Sequence, residues 1–402
     1  MDMSQSRAGI PPHSSANADN FVGSAVVQEW DLREQQLQAP YAMFSKNTLG
    51  RKHVEDPHPY RGPYQRDRDR VLHSAAFRRL SGKMQVFTGD MGDYHRTRLT
   101  HTHEAANIAR TMGRVLRLNE DLIEALALLH DIGHPPYGHS GEDALHECLI
   151  DAGGFSHNSF ALTLVEQLEM RYTRFPGLNL TREILSGQNF RITHAGETPL
   201  LEVQIVDLAD SIAYNAHDVD DALTLGLLDL EQLNSLALVQ RAQERSQWNS
   251  PSPTKLGLQQ ALVNSLVDVQ VADLISNSLD ILSEVKNLDC LAVQQLGIQL
   301  GLSLQIAQER EELASFLFDN VYRHDKLLEV RKLAADRVTR VFECLTNNPK
   351  LLPARFVERA KIVGELRAAG EFIGGMTDRF CDQTFKELVE EKATRARDWY
   401  RR

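Results

Sequence analysis

The chain has 402 residues, 42% of them hydrophobic and 25% charged, and a formal net charge of −11. That length can bury a large core, as one extended domain or two smaller ones, and the composition is that of an ordinary globular protein. The negative balance excludes a protein that holds nucleic acid by bulk charge. Four cysteines, Cys148, Cys290, Cys344 and Cys381, stand far apart with no C-x-x-C pair. Neither a zinc ribbon nor a disulfide framework is therefore expected, and each reads as a small buried apolar residue in a reducing compartment. Residues 1–20 are polar and lack the apolar run of a signal peptide, and no stretch reaches membrane-spanning length. We expect a cytoplasmic protein with no membrane partner.

In chain order, residues 1–25, rich in Ser, Ala, Asn and Pro, read as a disordered tail. A short helix is expected between Trp30 and Ser45. Arg51–Arg70 is dense in Arg, Pro, Tyr and Gly, and reads as a loop that something anionic or a neighbouring subunit would have to order. Residues 51–98 carry eleven Arg/Lys against six Asp/Glu, which makes this the expected place for contacts to a polyanion. Val71–Leu80 has helical spacing, and Lys83–Phe87 is one of very few expected strands. Beyond it nearly everything is helix: Thr102–Leu118, then a helix entered through Asn119-Glu120-Asp121 and ending at His130. Further helices are expected at 141–151, 157–171, 180–187 and 199–225. Long heptad-like runs follow, punctuated at Asn249–Pro253, Asn347–Pro353 and Gly370–Gly375. There are no internal repeats. The fold class is all-α with very few short strands.

Chemistry concentrates in Leu128–Glu142, LLHDIGHPPYGHSGE. His130 and Asp131 stand where a helix should end, and Gly133, Pro135, Pro136 and Gly138 then break it. The rigid turn presents His134, His139 and Glu142. Upstream, Arg96–Glu104 places His101 at the start of the preceding helix, where antiparallel packing would bring it to the His130-Asp131 pair. Downstream, in Val203–Asp221, Asp210, Tyr214 and Asp218 fall at i, i+4 and i+8 on one helical stripe, and Asp207 lies a turn earlier. That helix is otherwise apolar, so its carboxylates are expected to be buried for a purpose. Two histidines and two aspartates make a mixed N/O site for a divalent ion, Mg or Mn first, with Fe, Co, Ni or Zn also compatible. Each pair taken alone would also serve as a helix cap or a core hydrogen bond.

His101, His130-Asp131 and Asp210 resemble the H…HD…D signature of HD-domain metal-dependent phosphohydrolases. More narrowly, AAFRRLSGKMQVF, RTRLTH, HDIGHPPYGHSGE, GGFSHNSF and VDLADSIAYNAHDVDD are similar to successive motifs of bacterial deoxynucleoside triphosphate triphosphohydrolases (dGTPases). The resemblance runs from about Arg66 to Asp221 and resumes in FIGGMTDRF, Phe372–Phe380. It implies one HD-type domain over 26–402, with its core at about 66–225 and a helical C-terminal part at about 226–402. It also implies metal ligands at His101, His130, Asp131 and Asp210, with His139 as the acid–base group and Glu142 orienting it. His134, His157 and Arg98 would contact the triphosphate, while Gln85, Tyr214 and Asp218 would read the deoxyribose. His134 would otherwise cap a helix, and His157 would otherwise be an unliganded N-terminal helix residue. His103 departs from the family, where that place is usually apolar, and His73 and His217 are read as structural.

The chemistry agrees with these roles. A triphosphate brings about four negative charges and calls for a cation with preorganised donors. A nucleoside 5′-oxygen leaves poorly unless it is protonated, the task expected of His139. The resemblance thus implies hydrolysis of dNTPs, with dGTP a favoured substrate, to deoxynucleoside and tripolyphosphate. It further implies a homo-oligomer, in some relatives a hexamer, and an activator nucleotide at subunit interfaces. The alternatives are another HD phosphohydrolase (a 5′-nucleotidase or phosphodiesterase) and a nucleotide sensor or single-stranded nucleic-acid binder.

Overall fold

Capping chemistry sets the helix boundaries. The computed structural model describes residues 29–85, 96–193, 196, 198–246 and 254–399. The expected N-terminal tail, the break at Asn249–Pro253, and Val86 and Phe87 of the expected strand lie outside them. Eighteen α-helices occur among the described residues, and no β-strand. The first nine are α1 (Glu29–Leu37), α2 (Pro63–Leu72), α3 (Ala75–Arg79), α4 (Arg98–Val115), α5 (Glu120–Leu129), α6 (Gly138–Cys148), α7 (His157–Thr163), α8 (Arg182–Thr193) and α9 (Leu201–Thr224). Next come α10 (Leu230–Leu233), α11 (Ala237–Arg245), α12 (Lys255–Ser283), α13 (Cys290–Gln295) and α14 (Leu304–Leu317). The chain closes with α15 (Asp325–Asn347), α16 (Ala354–Val363), α17 (Glu365–Gly374) and α18 (Asp378–Phe385).

Three local expectations are corrected. The described part of Lys83–Phe87 forms only a single bridge, Met84 to Thr97, because its neighbour is the turn entering α4 and offers no length to pair with. Val71–Leu80 is two helices, since Ser74 interrupts it and its hydroxyl accepts from Phe77 N at 3.0 Å, starting α3. Gly370 lies inside α17, where a Cβ would come 2.5 Å from Leu149 Cδ1. It is a close-packing residue, and the expected break falls at the far end of the stretch, where α17 ends at Gly374.

The arginine-rich segment is ordered from within. Pro63 occupies the first turn of α2, where its missing N–H costs nothing. Arg51 pairs with the fully buried Asp67 and donates to the carbonyls of Asn179 (2.6 Å) and Pro63 (2.8 Å). Arg61 meets Asp69, Arg66 and Arg70 meet Glu55, and Arg68 meets Asp121 and Glu124. Every arginine from 51 to 70 therefore faces a carboxylate, and the positive excess is neutralised locally.

At the centre lies α5, covered by α2, α4, α8 and α9. The Asn119 side chain accepts from Leu122 N at 3.2 Å, the cap the sequence announces. Leu122, Ile123, Leu126 and Leu129 are wholly buried, each worth roughly 1.5–3 kcal/mol over an exposed position. Buried Glu202, at the start of α9, accepts from Met43 N (2.9 Å) and Asn119 N (3.2 Å), locking α9 to the start of α5. A second apolar cluster, including Leu223, Leu238, Leu266, Leu313 and Val321, lies beneath the C-terminal half of α9. The C-terminal helix α15 packs on α6, with α17 and α18 behind it. No described helix is long and apolar enough to cross a membrane.

The turn after α5 presses directly on α7. A Cβ on Gly133 would lie 2.0 Å from the His157 carbonyl oxygen and 2.6 Å from Ala161 N, both backbone atoms that cannot swing aside. We predict that Gly133→Ala lowers stability by about 1–3 kcal/mol or more through overpacking. Gly301→Ala, which meets nothing within 4 Å, should leave the thermal midpoint nearly unchanged. Equal midpoints for the two variants would contradict the packing account.

Candidate active site

Three helices deliver the first cluster. Thr97 caps α4, accepting from Thr100 N at 3.2 Å, and the first turns bury Arg98 and His101. His130 ends α5, and its ring Nδ1 lies 2.6 Å from the Ala127 carbonyl oxygen. Since a carbonyl only accepts, Nδ1 carries a proton, and Nε2 is the atom that can hold either a second proton or a cation. That Nε2 is buried without a hydrogen-bond partner. Asp210 comes from α9, its Oδ1 2.8 Å from His101 Nε2 and 3.4 Å from His130 Nε2. One ligating atom from each of His101, His130 and Asp210 falls within 4.8 Å of the others. Asp131 adjoins this group, with Oδ1 3.6 Å from His130 Nε2, but it also faces His134 Nδ1 and Arg98, each at 3.0 Å.

The donor set suits a divalent cation: two imidazole nitrogens, one of them the orphaned and buried His130 Nε2, converge with a carboxylate. Burial raises the Asp210 pKa, yet the neighbouring His130 and His101 rings hold it well below the usual carboxylate range. Asp131 is likewise held low against burial, by His134 and Arg98. Burial works against the His130 proton, but Asp131 and Asp210 raise its pKa to about 9. An incoming cation would replace that proton.

The turn supplies a second cluster, His134, His139 and Glu142. His134 and His157 stack with centroids 3.8 Å apart and planes 18° apart. Glu142 Oε2 lies 3.2 Å from His139 Nδ1, and Oε1 lies 2.8 Å from His157 Nδ1 and accepts from His157 N at 2.8 Å. The sequence reading paired Glu142 with His139 alone, whereas one carboxylate orients both rings. Burial pushes Glu142 up, but these hydrogen bonds hold it far below its ordinary range. Burial and the nearby Arg98 keep His134 well below its ordinary value, and its Nε2 is also without a partner. His139 is the accessible member, with a side chain 59% exposed.

Lys83, Asp378 and Tyr322 escaped the sequence reading. Buried Lys83 donates to the His134 carbonyl and, at 3.2 Å, to that of Gly374. Asp378 accepts from Met84 N and Tyr137 N, each at 2.9 Å, holding Tyr137 at a left-handed φ of 62°. The Tyr137 hydroxyl donates to Asp382 at 2.7 Å. The C-terminal FIGGMTDRF motif is thus the clamp on the histidine turn. Tyr322, from the region without readable motifs, donates to Asp218 Oδ2, and its hydroxyl lies 2.5 Å from that of Tyr214.

A cavity of about 280 Å³ is lined by Gln85, Arg98, His130, Asp131, His134 and Asp210, among others. A neighbouring one of about 580 Å³ is lined by Asp218, Phe318, Tyr322 and Arg331, among others. His139 and Tyr214 stand in the wall of both. Gln85 therefore lies on the cation side and apart from Asp218. Asp207 is engaged by Arg191 at 2.6 Å, outside the ligand cluster. His103 meets the edge of Phe77, while His217 touches His101.

Helices converging His, His-Asp and Asp on one buried point are the mark of an HD-type phosphohydrolase, and residues 98–215 match the HD domain family. Residues 300–387 match the phosphohydrolase-associated domain. A "deoxyguanosinetriphosphate triphosphohydrolase-like protein" of Thiobacillus denitrificans is 40% identical over 377 residues, covering 88% of this chain and 98% of that one. Proteins with the same description from Bordetella pertussis and Geobacter sulfurreducens are each 40% identical over 370 residues and 88% of this chain, covering 96% and 95% of their own lengths. The chain belongs to this deoxyguanosinetriphosphate triphosphohydrolase-like family of HD-domain phosphohydrolases.

Asp218 is 1% exposed, and burial raises its pKa to about 8 despite the bond from Tyr322. Its ordinary value is 3.8, so between these limits the folded chain keeps a proton that the unfolded chain has lost. Stability must then fall as pH rises through this window. Asp218→Asn has no such proton and should lose less stability between about pH 5 and pH 8, each pKa unit being worth about 1.4 kcal/mol. Urea unfolding of both proteins at the two pH values checks this, and parallel profiles would contradict it.

Proposed function

We propose that the chain hydrolyses deoxynucleoside triphosphates, dGTP among them, to deoxynucleoside and tripolyphosphate. The observation that carries this reading is a pair of neighbouring cavities that share His139 and Tyr214 as wall residues. The smaller is lined by the cation cluster and by the phosphate-seeking groups Arg98 and His134. The larger has the dimensions of a small-molecule pocket and is walled by aromatic and hydrogen-bonding side chains. A substrate with a highly charged end and a flat, partly apolar end suits the two together. The description carried by the relatives supports the same substrate class.

His101, His130 and Asp210 would hold the cation, Mg²⁺ or Mn²⁺ foremost, with Asp131 beside them. Bound there, it would supply Lewis acidity to the triphosphate. Arg98 and the His134–His157 pair would orient the phosphates. His139, with Nδ1 turned to Glu142 and lining both cavities, would protonate the departing 5′-oxygen through Nε2. Glu142 stabilises the protonated ring and fixes its orientation. Asp218, with Tyr322 and Tyr214, offers a buried acceptor, Oδ1, that has no partner in the protein, suited to a sugar hydroxyl. A cytoplasmic homo-oligomer, regulated by nucleotide at its interfaces, belongs to the same proposal.

Incubation with each dNTP and with GTP under Mn²⁺ or Mg²⁺, followed by anion exchange, tests it. Tripolyphosphate from dNTPs and not from GTP is expected. Orthophosphate or a nucleoside monophosphate would point instead to another HD phosphohydrolase. His139→Ala should lower kcat by about 10²–10⁴ while Mn²⁺ affinity stays at the wild-type value.

A further inference from the structure

Two residues outside both cavities are tied to His101. Glu104 follows it by three residues and shares its face of α4, and His217 lies seven residues beyond Asp210 on α9. His217 Nδ1 is 3.1 Å from His101 Nδ1, the rings standing at 80° with centroids 5.2 Å apart. His217 Nε2 meets Glu104 Oε2. Arg96 anchors the far end, donating to Glu104 at 2.6 Å and to Asp220 at 2.8 Å.

Proton counting leaves one arrangement for two neutral rings. An ionised carboxylate only accepts, so His217 Nε2 carries that ring's proton and donates it to Glu104. His217 Nδ1 is then an acceptor, and His101 Nδ1 must donate to it. His101 Nε2 is then left with its lone pair 2.8 Å from Asp210 Oδ1, two acceptors that a shared divalent cation would reconcile. His130 reaches the same state by a different device, the Ala127 carbonyl. A metal-bound histidine usually gives its second N–H to a carboxylate, a carbonyl or water, whereas here an imidazole is interposed before the carboxylate.

We infer that Glu104 and His217 are positioning residues: acting through one intervening ring, the carboxylate holds His101 in the tautomer that offers Nε2 to a divalent cation. The inference rests on the proposed ligation by His101, His130 and Asp210. Removing Glu104 frees His217 to carry its proton on Nδ1, where it would confront the His101 N–H and turn the ligand away. The effect would reach the cation from a residue two side chains distant.

The test is Mn²⁺ titration of the metal-free full chain by calorimetry, with the Co²⁺ absorption spectrum as a second readout. Glu104→Ala and His217→Leu should each weaken Mn²⁺ binding about 10–100-fold and alter the Co²⁺ spectrum. His217→Asn places an amide oxygen where Nδ1 stood, able to accept from His101, and should recover most of the affinity. The Glu104 side chain is 49% exposed, so its truncation opens no core cavity, and the thermal midpoint of the metal-free variant should match wild type. Wild-type affinity in both Glu104→Ala and His217→Leu would overturn the inference, as would equal impairment of His217→Leu and His217→Asn. Asp210→Ala separates the two levels. If that variant binds Mn²⁺ as wild type does, the ligation itself fails; if it loses binding while Glu104→Ala does not, only the present inference fails.

Discussion

Everything in this fold turns on a buried imidazole nitrogen, His130 Nε2, that no protein donor or acceptor satisfies. An unpaired buried polar atom costs about 1–3 kcal/mol, and here two carboxylates and a second histidine crowd the same point. A divalent cation would complete this cluster. The surrounding architecture serves to hold it together. The C-terminal half of α5 is wholly apolar and buried, Ala125 to Leu129, and it delivers His130 and Asp131 at its end. The helices α4 and α9 pack on it and on each other, and that fixes His101 and Asp210. The turn that follows is clamped from the far end of the chain by Asp378 and from inside by Lys83.

The same environment divides the ionisable groups into two kinds. Asp131 is buried and Asp210 and Glu142 partly so, yet cationic or hydrogen-bonding neighbours keep them ionised. Asp218 is more fully buried, has no formal cation in contact, and burial holds its pKa at about 8. Carboxyl groups pushed apart by their surroundings can take different tasks, and in the proposed reaction the ionised ones would serve the charged end of the substrate and Asp218 a neutral hydroxyl.

Residues brought together by helical spacing were legible from the chain alone. His101, His130 and Asp210 lie at helix ends or on one helical stripe, and the strength of the apolar periodicity made their convergence readable. What escaped depends on distant packing. Tyr322 reaches Asp218 across 104 positions of sequence, and Asp378 reaches Tyr137 across 241, and no local pattern encodes either contact. The arginines of 51–70 looked free because their partners, Asp121 and Glu124 among them, lie on a helix whose packing against α2 could not be read. His217 was set aside as structural, although its seven-residue spacing from Asp210, matched by the three-residue spacing of Glu104 from His101, was the available signal.

The central claim is that water attacks the phosphorus nearest the sugar while His139 protonates the departing 5′-oxygen. Turnover of a dNTP in ¹⁸O-labelled water, with mass spectrometry of both products, tests it most directly. The account predicts one ¹⁸O in tripolyphosphate and none in the deoxynucleoside. Label in the nucleoside, or in orthophosphate released from the far end of the chain, would contradict it.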